Sequence, residues 1–187
     1  MNNFYLRSLV YGGTDGIITM FNIISGVEGA KMKYYIIFIL GIGTLLADAV
    51  SMGFSDFLSI NANQKQKNLS KSKNKKNNKI NPVKHGLLTF TSFIIFGLIP
   101  LSSYLLYNTF SKNNNYLKTY ISTLLALFIL GSIQSKFTNE KWYKSGTYVA
   151  FYGIIASIIS YSVGNIMSQI VPKSLLKIHE AKKEVVS

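Results

Sequence analysis

Three aspartates, Asp15, Asp48 and Asp56, lie inside or at the edge of the first two long apolar stretches of a chain with only seven acidic residues. An ionised side chain at the centre of a bilayer costs ~2.5–3.5 kcal/mol even on mild insertion scales, so it persists only where something stabilises it. Asp48, Met52 and Asp56 follow at i, i+4 and i+8, which stacks them on one face of a helix. Two carboxylates and a thioether on one face suit a borderline divalent cation such as Fe²⁺ or Mn²⁺ better than a purely hard one. The first two stretches offer Asp15 no membrane-buried Lys or Arg as an ion-pair partner. Asp15, Asp48, Met52 and Asp56 are therefore the candidate metal ligands.

Around them lie groups that could line a path. Thr44, Ser51 and Ser55 carry neutral oxygens, although hydroxyls in helices more often bond back to their own backbone. Asn22 is polar within the first stretch, and Glu28 ends it on the far side, where it either marks an exit or is a plain interfacial charge near Lys31. His85 and His179 fall outside the apolar stretches and are not expected to be ligands.

Helices must position these groups. A helix needs about 20 apolar residues to cross ~30 Å of hydrocarbon. Five stretches qualify: Ser8 to Ala30, Tyr34 to Ile60, Gly86 to Tyr107, Leu117 to Lys136 and Ser145 to Val171. The first is the weakest, because it carries Asp15, Asn22 and several glycines, and its opening is a poor signal peptide. The expected fold is all-α, a polytopic membrane protein with five transmembrane helices. Residues 1–60 hold the first two helices, with the metal pathway and a dimer seam. Residues 61–85 form a Lys/Asn-rich cytosolic linker, 86–171 the remaining three helices and 172–187 a polar tail. Asn61 to Asn81 lacks acidic residues and apolar periodicity and reads as disordered. Pro100, after Gly97, predicts a kink in the third helix. Glycines 12, 13, 16, 26 and 29 in the first helix and 41, 43 and 53 in the second allow close helix approach, within one chain or across a dimer seam.

The net charge of +13 would suggest nucleic acid in a soluble protein, but these charges sit between the apolar stretches, so no nucleic-acid partner is expected. Lys and Arg number twelve on the side of the N-terminus and eight on the other, placing the N-terminus in the cytosol and the tail on the far side. The Lys65–Lys84 run could also hold anionic lipid headgroups. Tyr34, Tyr35, Tyr107, Tyr116, Trp142 and Tyr143 fit an aromatic belt at helix ends. Cysteine is absent, so disulfides and thiolate ligands are excluded. No nucleophile–base arrangement or phosphate loop is present, and the chain is not expected to be an enzyme or to hold a cofactor.

The stretch Gly13-Thr14-Asp15-Gly16-Ile17-Ile18-Thr19, with Ser25-Gly26-Val27, resembles the first helix of the vacuolar iron transporter family. Ala47-Asp48-Ala49-Val50-Ser51-Met52-Gly53 followed by Asp56-Phe57-Leu58-Ser59 is similar to its second. Phe96-Gly97-Leu98-Ile99-Pro100, Leu130-Gly131-Ser132, Lys136-Phe137-Thr138, Trp142 and Ser145-Gly146 continue the likeness in order. The resemblance implies a homodimer that moves Fe²⁺ or Mn²⁺ out of the cytosol in exchange for protons, through a path between paired first and second helices. It places Asp15 and Met52 at the family's central metal contacts. It implies a vacuole-like endomembrane, with the plasma membrane as the other possibility. Three departures stand out. Arg7-Ser8 replaces a frequent Arg-Asp, Thr44 replaces Glu or Asn, and the lysine-rich connection stands where better-known members carry a glutamate-rich metal-binding domain.

Two rival readings remain at this level. A transport-inactive scaffold or lipid-binding protein of the same fold would account for the missing carboxylates. A passive cation channel would show flux independent of a proton gradient.

Overall fold

In a computed structural model that describes residues 3–69, 81–110 and 115–170, the described chain is entirely helical. The helices are α1 (Asn3–Gly29), α2 (Tyr34–Leu69), α3 (Pro82–Phe110), α4 (Asn115–Thr138) and α5 (Trp142–Ile170). The tail beyond residue 170 and residues 70–80 of the lysine-rich connection lie outside the described residues.

α2 to α5 each contain a stretch long and apolar enough to cross a membrane, Tyr34–Gln66, Pro82–Tyr107, Tyr116–Thr138 and Trp142–Ile170. Their outward faces carry Phe38, Leu46, Ile95, Leu125, Ile155 and Ile159, all exposed. So much exposed apolar surface is unfavourable in water and is covered by lipid tails in a bilayer. The chain is an integral membrane protein.

α1 differs because of where it sits. It touches all four other helices, which form an arc in the order α2, α3, α4, α5, with no contact between α2 and α5 among the described residues. Val10, Ile17, Met20, Phe21 and Ile24 of α1 are fully buried. A helix shielded by its neighbours can carry glycines and an aspartate that lipid would reject. Its 27 residues extend about 40 Å at 1.5 Å per residue, enough to cross a bilayer.

Glycines set the closest approaches, and they do so within the chain. Gly16 faces the Phe93 carbonyl of α3, and Gly26 and Gly29 face Ser160 and Tyr161 of α5. Gly53 of α2 and Gly86 of α3 meet backbone to backbone, so that a Cβ on Gly53 would lie 2.8 Å from the Gly86 carbonyl oxygen. Only Gly43, among the glycines of α1 and α2, has nothing within 4 Å. The glycine pattern therefore encodes packing inside one chain, with Gly43 as the exception.

Two boundary differences bear on the site. α2 does not stop at Ile60 but continues to Leu69, so the first part of the supposed disordered linker is helical. Gln, Lys and Ala are good helix formers, no Gly or Pro interrupts them, and extending a formed helix needs no new nucleus. α3 starts four residues earlier than expected. Asn81 caps it, accepting from the Val83 and Lys84 amides at 3.0 and 3.4 Å, and Pro82 takes the first helical position. The earlier start brings His85 into the helix. α3 runs on through Pro100. Tyr34, Tyr35, Trp142 and Tyr143 are exposed at helix starts, as an aromatic belt requires, whereas Tyr116 turns inward to Ser25.

Candidate metal pathway

The four candidate ligands separate into two groups along the bundle. Asp15 is held at mid-height on α1, where Gly13 packs on the Phe96 ring and Gly16 on the α3 backbone. Asp48 lies on α2 beside buried Ala49, and the two carboxylates are within electrostatic reach of each other. Both are half-buried. Neither accepts a hydrogen bond or pairs with a cation among the described residues. The neighbouring Thr14 does not satisfy Asp15 and has a buried hydroxyl oxygen with no partner of its own. Two carboxylates on an apolar helix pair are thus left without a hydrogen bond or a cation among the described residues.

Met52 and Asp56 sit lower, at the end of the bundle where α1 begins. They line a cavity of about 440 Å³ together with Arg7, Ser8, Ser55 and His85. Asp15 and Asp48 do not line it. Met52 also packs against the main apolar cluster, so one side of its side chain is core and the other faces the cavity. No group of three or more His, Cys, Asp or Glu side chains gathers anywhere among the described residues. The single stacked site expected from the i, i+4, i+8 spacing is therefore not one cage.

Asp56 is not the solvated helix-end residue it could have been. Its Oδ2 accepts from the Ser8 hydroxyl at 2.8 Å and from the Thr89 hydroxyl at 2.5 Å. Ser8 Oγ also lies 2.6 Å from His85 Nδ1. His85 is only 2% exposed, stacks on the Tyr5 ring and leaves Nε2 buried without a partner. The sequence reading placed His85 outside the apolar stretches, whereas α3 begins at Pro82 and includes it. One signal was available: His85, Thr89 and Ser92 recur at i, i+4 and i+7, a polar stripe on an otherwise apolar helix, and all three are buried.

The remaining pathway candidates scatter. Glu28 accepts from the Tyr104 hydroxyl at 2.5 Å, and Tyr104 is buried, so this carboxylate is tied to α3. The Asn22 backbone oxygen accepts from Ser160, while its Oδ1 is buried without a partner. Thr44 is half-buried on α2. Ser51 and Ser55 are exposed on α2, and Ser55 reaches the cavity. His179 lies outside the described residues.

The sequence model of the VIT family matches residues 6–79 and 62–165, which together take in most of the chain. This chain belongs to the VIT family. The two matched pieces overlap over residues 62–79, the end of α2 and most of its connection to α3. Among relatives, the VIT-family chain is 31% identical to the vacuolar iron transporter of Plasmodium falciparum, over 87% of this chain and 82% of that protein. It is 31% identical to the vacuolar iron transporter of Plasmodium berghei, over 86% and 81% of the two chains. With the vacuolar iron transporter of Toxoplasma gondii it shares 26% identity over 91% and 77%. The first alignment runs over 223 residues, more than the 187 of this chain, so that relative carries residues this VIT-family member lacks. The relatives are named as transporters, in keeping with the expectation that this chain is not an enzyme.

Proposed function

We propose that this protein carries Fe²⁺ or Mn²⁺ out of the cytosol across an endomembrane, in exchange for protons. The observation that carries the reading is the pair Asp15 and Asp48, two carboxylates in electrostatic reach with neither a hydrogen bond nor a cation among the described residues. In an apolar surround such a pair requires either a bound cation or protons. Alternation between the two is antiport. Carboxylates hold metal only when deprotonated, so metal affinity falls with pH and an acidic far side releases the ion. The names of the Plasmodium and Toxoplasma relatives support iron as cargo and a vacuolar membrane.

In this reading all five helices span, with the N-terminus and the α1-start cavity on the cytosolic side. The functional unit is a homodimer. Support comes from the gap in the arc between α2 and α5 and from α2 itself. Gly43, Ala47, Ser51, Ser55 and Ser59 recur at four-residue spacing and are all exposed. Small residues at that spacing let two helices approach closely in lipid. A second copy there would bring a second Asp15 and Asp48 to the same seam.

Metal uptake into proteoliposomes, with and without an imposed pH gradient, tests the exchange. Flux that rises when the far side is acidified is expected. Flux indifferent to the gradient would make the protein a passive channel, and no flux at all would leave a transport-inactive scaffold.

A further inference from the structure

The cavity at the α1-start end contains both a cation and a carboxylate that do not pair. Among its lining residues Arg7 is the only Lys or Arg, and Asp56 is the only Asp or Glu. The two share a space of about 440 Å³. The Arg7 guanidinium nevertheless lies over the Tyr11 ring, 5.3 Å from its centroid, and forms no ion pair among the described residues. Tyr11 lines the same cavity, and its ring meets Phe137 of α4 edge to face, with centroids 5.8 Å apart. One helix therefore presents the guanidinium and another braces the ring that receives it.

Asp56 is served by neutral hydroxyls. Its Oδ2 accepts from Ser8 and Thr89, and its Oδ1 accepts no hydrogen bond among the described residues. Arg7 directly precedes Ser8, whose hydroxyl is 2.8 Å from that carboxylate, and the Arg7 side chain is exposed. A guanidinium suits either partner, since its flat face stacks on a ring and its edge forks onto a carboxylate. A cation–π contact at an exposed site is weak, and so is a partly exposed ion pair. The choice between two such partners is then decided by which one is present and well placed.

We infer that Tyr11 is a positioning residue for metal entry: it holds the Arg7 guanidinium off Asp56 and so keeps the one carboxylate of this cavity open to a divalent cation. The inference rests on the transport reading above and gives the cytosolic mouth a residue that sets its apparent affinity. Without the ring, Arg7 forks onto Asp56, and an entering ion has to displace it before it can use that carboxylate. Tyr11 touches no metal itself and acts only through Arg7.

The test compares full-length wild type, Tyr11→Phe, Tyr11→Leu, Arg7→Gln and the double variant Tyr11→Leu/Arg7→Gln, with Mn²⁺ offered at the cytosolic face of proteoliposomes. Tyr11→Phe keeps the ring and should match wild type. Tyr11→Leu should raise the KM for Mn²⁺ roughly two- to fivefold, the weight of an exposed cation–π contact. Adding Arg7→Gln should bring the KM back to the wild-type value or below, because the competing charge is gone. A ring that merely packs on Phe137 would give a defect that Arg7→Gln does not repair. A raised KM unrepaired in the double variant, or an unchanged KM in Tyr11→Leu, would overturn the inference. Mn²⁺ binding to the same proteins in detergent separates it from the reading beneath. The same pattern in binding, with no Mn²⁺ moved by any of the proteins, would overturn the transport reading alone, and no Mn²⁺ bound by wild type would overturn both.

Discussion

His85 Nδ1 and Asp56 Oδ2 are 3.9 Å apart, and the Ser8 hydroxyl joins them, at 2.6 Å from the nitrogen and 2.8 Å from the oxygen. Three helices meet at that hydroxyl, so it both fixes the first turns of α1 and organises one wall of the cavity. Ser8→Ala removes the hydrogen-bond partner of a buried imidazole nitrogen and of the Asp56 carboxylate. A buried polar group left unsatisfied costs ~1–3 kcal/mol. A lowered thermal unfolding midpoint in detergent is expected, and an unchanged midpoint would show that this hydroxyl contributes nothing to folding.

Met52→Leu nearly conserves volume, so its core side should tolerate the change at a cost below about 1.5 kcal/mol. Its cavity side loses only the sulfur. Competition binding in detergent should therefore show Fe²⁺ or Mn²⁺ weakened far more than Mg²⁺ or Ca²⁺. An equal fall for every cation would make Met52 packing alone.

Gly53 and Gly43 lie on one helix and should behave oppositely. A side chain on Gly53 meets the Gly86 carbonyl, and overpacking of this kind costs ~1–3 kcal/mol, so Gly53→Val should lower the unfolding midpoint. Gly43→Val meets nothing within 4 Å in its own chain. It should leave the midpoint alone and reduce the dimer fraction seen by cross-linking in membranes. A dimer insensitive to Gly43→Val would move the seam away from this stripe.

The five-helix order was legible from the long apolar runs, and Asp15, Asp48, Met52 and Asp56 stood out as candidates because a carboxylate within an apolar run is conspicuous on its own. Their division into two positions was not legible. Spacing along α2 says which residues share a face, but the depth at which Asp15 meets that face depends on how α1 docks on α3. His85 was missed for a related reason. Its partner Ser8 is 77 residues away, and the local stripe of His85, Thr89 and Ser92 marks a shared face without saying what covers it. The reach of α2 to Leu69 was missed because polarity was taken for disorder, although Asn61 to Leu69 contains no helix breaker.

Replacing residues 70–80 with a neutral Gly/Ser segment of equal length leaves α2 intact and removes a block of lysines. That block has no carboxylate, cysteine or histidine with which to collect metal. Apparent metal affinity per correctly oriented molecule should be unchanged or slightly tighter, with less uniform topology. Protease accessibility of the two membrane faces provides the normalisation. A large fall in affinity with orientation preserved would give the segment a metal-handling role.

The central claim is that the uncompensated pair Asp15 and Asp48 carries the metal, and Mn²⁺ flux through proteoliposomes measures it directly. Asp15→Asn and Asp48→Asn conserve shape while removing one charge each. Each variant, shown to be inserted and folded by its unfolding midpoint and protease pattern, should lose nearly all gradient-driven flux. Wild-type flux in either correctly inserted variant would contradict the account.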